Sequence, residues 1–471
     1  MRIGYRRFGF EIVGLAVALM LGGCATIHNQ PLNVPSANPF APTPADAAQA
    51  VAGGYQSETA AIGLAFSGGG TRAAAFSYGV LKALARTPSR DRRHRDLLGH
   101  IGIVTGVSGG SITAAYFGLR GRAGLSDFRQ RFLDQNLMSQ LDTSVDLINL
   151  GRALSGGINT DTRLRDWLNA HLFGDATYGD LLARKRPMVL INATDVYSRT
   201  PFLFTPQTFA SFCSDINRYP LAAAVAASAA VPGAFAPVVI KTYPGRCRTP
   251  LPDWVTRALG NPQASPLLAA YAKSLERDHT GAVKYIKLFD GGLVDNVGLS
   301  GLTIARDSEA TPYGPLKPSE AVNLRRLLFL VVDAGRGPEG QWSQTVEGPT
   351  GAQLISAVTD AAIDANTRSS YTAFQATMKN WQDTMVRWRC GLKSGQVARL
   401  RGGRRGHWSC RDFKIIVGRV AFDQLGPMRA RALNAIPTSF SLPPQTVDAL
   451  TQAAGDALRI NPAYREFLKE M

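Results

Sequence analysis

The chain has 471 residues, 45% of them hydrophobic, which is ample for a sizeable folded core and excludes a chain left open for want of apolar surface. Lys and Arg number 52 against 35 Asp and Glu, a formal net charge of +17 that favours anionic partners. No Cys-x-x-Cys pair, His-Glu-x-x-His or acidic loop of calcium-ligand spacing occurs, so neither a metal site nor a cofactor is expected.

At the N-terminus, Arg2, Arg6 and Arg7 precede an apolar run from Ile12 to Leu21, closed by Leu21-Gly22-Gly23-Cys24. A basic start, a short apolar segment and small residues predict a secretory signal over 1–23. The run is too short for a membrane-spanning helix. A cysteine directly after Leu-Gly-Gly resembles the lipobox of bacterial lipoproteins. That resemblance implies cleavage before Cys24, lipid on Cys24 and, with Ala25 rather than Asp next, sorting to the outer membrane of a bacterium, facing the periplasm. An ordinary cleaved signal with an incidental cysteine is the competing reading. Residues 24–60 are rich in Pro, Ala, Asn and Gln with no apolar period, which predicts a flexible tether.

Two apolar, strand-like runs follow, Ile62 to Phe66 and Ile101 to Thr105, each ending in glycines and each leading into a helical pattern, Ala73 to Leu84 and Ser111 to Leu119. Between the first strand and helix lies Ser67-Gly68-Gly69-Gly70-Thr71-Arg72; between the second pair lies Gly106-Val107-Ser108-Gly109-Gly110. Gly-x-Ser-x-Gly on a tight strand-to-helix turn holds a serine hydroxyl clear of the backbone at the positive end of a helix. A glycine-only turn offers N–H groups with no side chain in the way, which suits a developing oxyanion. Walker-type phosphate binding would need Lys before the Ser/Thr, and this chain has Thr71-Arg72. Farther on, an apolar run ends at Leu288-Phe289-Asp290-Gly291-Gly292.

In this order, the glycine loop with its basic residue, Gly-x-Ser-x-Gly and Asp-Gly-Gly resemble the patatin-like phospholipases. The stretches Asn192 to Asp195 and Ala227 to Phe235, and Asn296, strengthen the likeness; Ala73 stands where the family has a further glycine. The resemblance implies an α/β fold, a three-layer α/β/α sandwich with a mainly parallel central sheet, over 61–335. It also implies a lipid acyl hydrolase with a Ser/Asp dyad. Carried over, Ser108 is the nucleophile, flanked by Gly106 and Gly110, and Asp290, followed by Gly291 and Gly292, is its base. Gly68, Gly69 and Gly70 form the oxyanion hole, with Arg72 bracing it. A free carboxylate has a pKa of about 4 and is a weak base, so the dyad needs a desolvated Asp290 and a well-stabilised oxyanion. A Ser-His-Asp hydrolase is the rival; only His407 follows Asp290, and His171 and His279 precede it in polar surroundings.

Residues 336–471 read as an α/β extension packed on the core. A strand is expected over 325–333, then a polar connection to 351, a helix over 352–385, a strand over 414–422 and an amphipathic helix over 445–458. Residues 248–279 read as an insertion near the site. With Cys24 taken by lipid, Cys213, Cys247, Cys390 and Cys410 remain, and nearest-neighbour pairing gives Cys213–Cys247 and Cys390–Cys410. The expected substrate is a phospholipid or lysophospholipid and the expected partner a membrane, reached through the lipid anchor. Nucleic acid is not expected, because an exported lipoprotein rarely meets it, and protein partners stay open. A general lipase or thioesterase on the same dyad, and a catalytically silent lipid-binding envelope lipoprotein, remain as alternatives.

Overall fold

A computed structural model of the chain describes residues 27, 29–39 and 59–471, apart from 92, 143–148, 150–151, 153–155, 185, 249, 338–339 and 403–406. The expected signal 1–23 and Cys24 lie outside the described residues. In chain order the strands are β1 (Ala60–Phe66), β2 (Ile101–Val107), β3 (Gly157–Asn159), β4 (Met188–Asp195), β5 (Thr200–Leu203), β6 (Gly233–Phe235), β7 (Val238–Lys241), β8 (Tyr285–Asp290), β9 (Arg326–Asp333) and β10 (Lys414–Ala421). Eight of them form one sheet in the order β10-β9-β1-β2-β4-β8-β7, with β5 also on β4, while β3 and β6 pair separately. Strands β10, β9, β1, β2 and β4 are parallel; β8 and β5 run antiparallel to β4, and β7 antiparallel to β8.

Strand periodicity explains the layering. Alternate side chains of a strand face opposite sides, and in β1 Ile62, Leu64 and Phe66 enter one core while Ala61 and Ala65 enter another. Strand β9 divides likewise, Leu328, Leu330 and Val332 to the first core and Leu327, Phe329 and Val331 to the second. Strands buried on both faces need helices on both, which is why they read as continuous apolar runs. The first core takes helices Gly70–Arg86, Gly109–Arg120, Leu221–Ser228 and Pro444–Ile460; the second takes the 40-residue helix Gly351–Cys390 through Phe374, Met378, Trp381 and Met385. The result is a three-layer α/β/α sandwich.

The C-terminal extension is woven into this sandwich. Strand β10 pairs with β9 over its whole length, and helix Pro444–Ile460 lies against helix Gly70–Arg86, where a Cβ on Gly79 would come within 2.6 Å of Thr451 O. The insertion 248–279 forms helices Asp253–Gly260 and Pro266–Thr280, which pack through Trp254, Tyr271 and Leu275 with Leu190, Leu203 and Ile304. Disulfides join Cys213 to Cys247 and Cys390 to Cys410.

One expectation is corrected. The tether over 24–60 is not free throughout, because part of it lines the edge strand β7. Asn29 Nδ2 donates to Ala236 O at 3.1 Å and Pro237 O at 3.0 Å, and Asn33 exchanges two bonds with the Lys241 backbone, at 2.8 and 2.9 Å. Ser36 N donates to Cys213 O at 2.9 Å. An edge strand presents unpaired backbone groups, and asparagine amides supply the missing partner. Composition alone hides this, since Asn reads as loop until an edge is there to receive it.

Candidate active site

The parallel strands β1 and β2 deliver their following loops to the same edge of the sheet, the usual place for a site in such folds. Ser108 follows β2 directly and is the N-cap of helix Gly109–Arg120, with φ 50° and ψ −122°. Positive φ is costly for a non-glycine residue, so neighbouring bonds must impose it. Ser108 N donates to Ser228 Oγ at 2.9 Å, and Ser228 Oγ donates to Asn192 O at 2.6 Å. The Ser108 carbonyl accepts from Ser111 N at 2.9 Å and Ser111 Oγ at 2.6 Å. Packing leaves no room for side chains beside it: a Cβ on Gly109 would lie 1.9 Å from Gly70 O, and one on Gly110 2.5 Å from Ser67 O. The two glycine-rich turns thus touch backbone to backbone.

Asp290 ends β8 and is 8% exposed; Ser108 is 4% exposed. Asp290 N donates to Ala230 O at 2.8 Å, and its Oδ1 accepts from Gly292 N at 2.8 Å. Burial pushes its carboxyl up to about 6, against the smaller lowering effects of hydrogen bonding with the Ser108 side chain and the Gly292 amide. The carboxylate is a markedly better proton acceptor there than in water. Gly291 N donates to Ser228 O at 3.2 Å. Ser228 therefore ties the turn after Asp290 to the turn that carries Ser108.

The glycine loop divides in a way the sequence did not indicate. Gly68 N donates to Asn296 O at 2.9 Å, which removes it from the expected oxyanion set. Among the described residues, no acceptor takes the N–H of Gly69 or of Gly70, whose φ angles are 133° and 59°. These two amides precede and begin helix Gly70–Arg86, where the helix dipole adds positive potential. A Cβ on Gly68 would stand 3.4 Å from Ser108 Cβ, so the loop lies directly beside Ser108.

Arg72 lies behind the glycine loop, in the place of the brace expected from the sequence. Arg72 is 2% exposed, with Nε donating to Ala334 O at 2.9 Å and Nη1 to Ile436 O at 2.6 Å. Burial, then the charge of Arg336, lowers its pKa to about 10. Thr71 N donates to Ser439 O at 2.8 Å, and a Cβ on Gly70 would lie 2.5 Å from that oxygen. Residues 436–439 thus cradle the loop, although nothing in their sequence announces it. Asn366 of the long helix donates to Val294 O, just beyond the Asp-Gly-Gly turn. Ser228, Asn192 and Asn296 were visible only as family-like residues without an assigned task; Asn192 Nδ2 donates to Thr105 Oγ1 and Gly106 O at 2.7 and 2.9 Å.

The three histidines weighed for a Ser-His-Asp triad are engaged elsewhere or exposed. His171 stacks on Trp167 with its Nδ1 2.9 Å from Trp167 O, His279 Nδ1 is 2.9 Å from Ser211 O, and His407 is exposed. Among the described residues, no three His, Cys, Asp or Glu gather as metal ligands, and no helix is long and apolar enough to cross a membrane.

The model of the family described as patatin-like phospholipase matches residues 64–303, which spans both glycine turns and Asp290. The chain belongs to the patatin-like phospholipase family. No curated protein matches it in sequence. Among solved structures, a human GIVD cytosolic phospholipase A2 is 13% identical, with 91% of this chain and 63% of that chain covered at a TM-score of 0.40. VipD from Legionella pneumophila is 12% identical, covering 88% and 66% at 0.33. This chain thus spans somewhat under two thirds of the human protein. At these scores, neither likeness adds to the family assignment.

Proposed function

We propose that the protein is a metal-independent serine acyl hydrolase that cleaves carboxylic esters of phospholipids or lysophospholipids through a Ser108–Asp290 dyad. Ser108 Oγ attacks the ester carbonyl carbon while its proton passes to Asp290. The carbonyl oxygen becomes an oxyanion that accepts from the N–H groups of Gly69 and Gly70. Collapse breaks the C–O bond to the alcohol, which leaves with the proton held on Asp290, and an acyl-Ser108 ester remains. Water then attacks that ester, giving its proton to Asp290. The second collapse releases the fatty acid and returns the proton to Ser108. Two oxyanion donors at about 3 to 4 kcal/mol each supply a large part of such a barrier reduction.

The single observation that carries this reading is the convergence of the two turns: Ser228 bonds both the Ser108 amide and the Gly291 amide after the buried Asp290, and Ser108 sits at positive φ beside the Gly69 and Gly70 amides, which no acceptor takes among the described residues. Family membership supports the lipid ester as substrate class. Fluorophosphonate labelling of the purified protein, with peptide mapping, tests it. Label on Ser108, absent from Ser108→Ala, is expected; no label on folded protein would favour a silent lipid-binding lipoprotein. The same proposal places the protein in the bacterial envelope, lipid-modified at Cys24 and held at the outer membrane facing the periplasm. It is supported by the lipobox-like Leu21-Gly22-Gly23-Cys24.

A further inference from the structure

The open edge of the sheet carries a surface that the hydrolase chemistry leaves unused. Strand β8 meets β4 only from Leu288, opposite Asp195, to Asp290, so its first half and its β7 partner extend past the end of β4. They project from the edge of the sheet to which β2 delivers Ser108. The register sets Val239 opposite Lys287 and Lys241 opposite Tyr285, which puts these four and Phe289 on one face. With Val196 they line an open groove of about 820 Å³ that contains two lysines, three aromatic rings and no carboxylate.

Three cation–aromatic pairs run along this edge: Lys241 over Tyr243 at 5.4 Å, Lys287 over Tyr285 at 5.3 Å and Arg277 over Tyr197 at 5.9 Å. Tyr197 is 66% exposed and Tyr285 46%. Rings with a polar tip beside cations on flexible stems make the composition of a membrane–water interface, where the ring enters the acyl boundary and the cation stays at phosphate level.

The N-terminal chain enters at the same place. Ile27, Asn29 and Pro31 line the groove, and Asn29 is bonded to the backbone before β7. Cys24 precedes Ile27 by three residues, which reach at most about 11 Å. A lipid on Cys24 would therefore leave the body beside this groove instead of on a long leash.

We propose that the β7–β8 face, with its Lys–Tyr rows and the entering N-terminal segment, is the docking surface of this protein for an anionic phospholipid bilayer. The placement of the anchor rests on the lipid-modified Cys24 proposed above; the charge and aromatic argument does not.

The test is partition of the full-length protein onto vesicles of phosphatidylglycerol and of phosphatidylcholine. An N-terminal anchor adds equally to both, so their ratio reports the face. A preference of about tenfold or more for phosphatidylglycerol is expected, weakened by salt, and reduced towards one by Lys241→Glu with Lys287→Glu. The control, Lys379→Glu with Lys393→Glu, makes the same change of net charge at exposed positions on and after the long helix and should keep the preference. Thermal melting and fluorophosphonate labelling report whether each variant is folded and competent. Labelling also judges the hydrolase reading independently of partition. An equal loss in both variants would mean a general effect of charge, and no preference in the wild type would mean no such surface; either overturns the proposal. A dimer in sedimentation that Lys241→Glu with Lys287→Glu dissolves would assign the face to a second copy and overturn it as well.

Discussion

The glycine loop is held between two stretches of opposite sequence character. On one side, Phe66 to Gly110 contains both glycine turns, whose residues form recognisable motifs. On the other, Ile436 to Ser439 has no motif, yet its carbonyls take a bond from Arg72 and one from Thr71. In the proposed reaction the first stretch supplies the nucleophile and the oxyanion amides, Asp290 comes from elsewhere, and the second stretch keeps the glycine loop in register. Chemistry demands particular side chains at particular spacings and so leaves a readable pattern. Support is given by backbone carbonyls, which every residue carries, and leaves none.

The largest effect that sharpens this contrast comes from the reacting side. Ser108→Ala should abolish labelling and lower ester hydrolysis by about 10⁴-fold or more while the melting temperature stays within a few degrees, read by fatty-acid release and calorimetry. Undiminished hydrolysis would break the comparison at its root.

Arg72 tests the supporting side. Arg72→Ala strips donors from two carbonyls, Ala334 O and Ile436 O, and should destabilise the fold by about 2 to 4 kcal/mol. Because the loop carrying Gly69 and Gly70 loosens, kcat should fall by about 10- to 100-fold with KM little changed, and Arg72→Lys should recover part of the loss. A fall in KM-linked binding alone would place Arg72 against substrate instead.

The smallest effect on catalysis belongs to the C-terminal staple. Cys390 and Cys410 enclose a loop with a sequence separation of 20. Replacing both by Ser should cost about 3 kcal/mol of stability on the loop-entropy model, visible as a lower denaturation midpoint, with kcat near the wild-type value. A large drop in kcat would show that this segment acts on the site directly.

Strands β1, β2 and β9 were legible as apolar runs with glycine punctuation, whereas the three-layer sandwich came from the family resemblance. Helix Gly351–Cys390 was legible from small residues with few breakers, although it runs five residues past its expected end. The positions of Ser108 and Asp290 were legible because each closes an apolar run at a turn. The fate of the Gly68 amide was not, since a backbone donor chooses its partner only when Asn296 O arrives from almost 230 residues away. The docking of Asn29 and Asn33 on β7 escaped for the same reason: the edge that calls for them lies over 200 residues downstream.

Asp290 is the proposed base for Ser108, and the rate of fluorophosphonate labelling against pH measures that most directly. The carboxyl must lose its proton to act, so the rate should rise about tenfold per pH unit from 4, reach half its plateau near the Asp290 value of about 6, and level above 7. Asp290→Asn should remove both the rise and nearly all of the rate. A rate flat from pH 4 to 8, or Ser108 labelled as fast in Asp290→Asn as in the wild type, would contradict it.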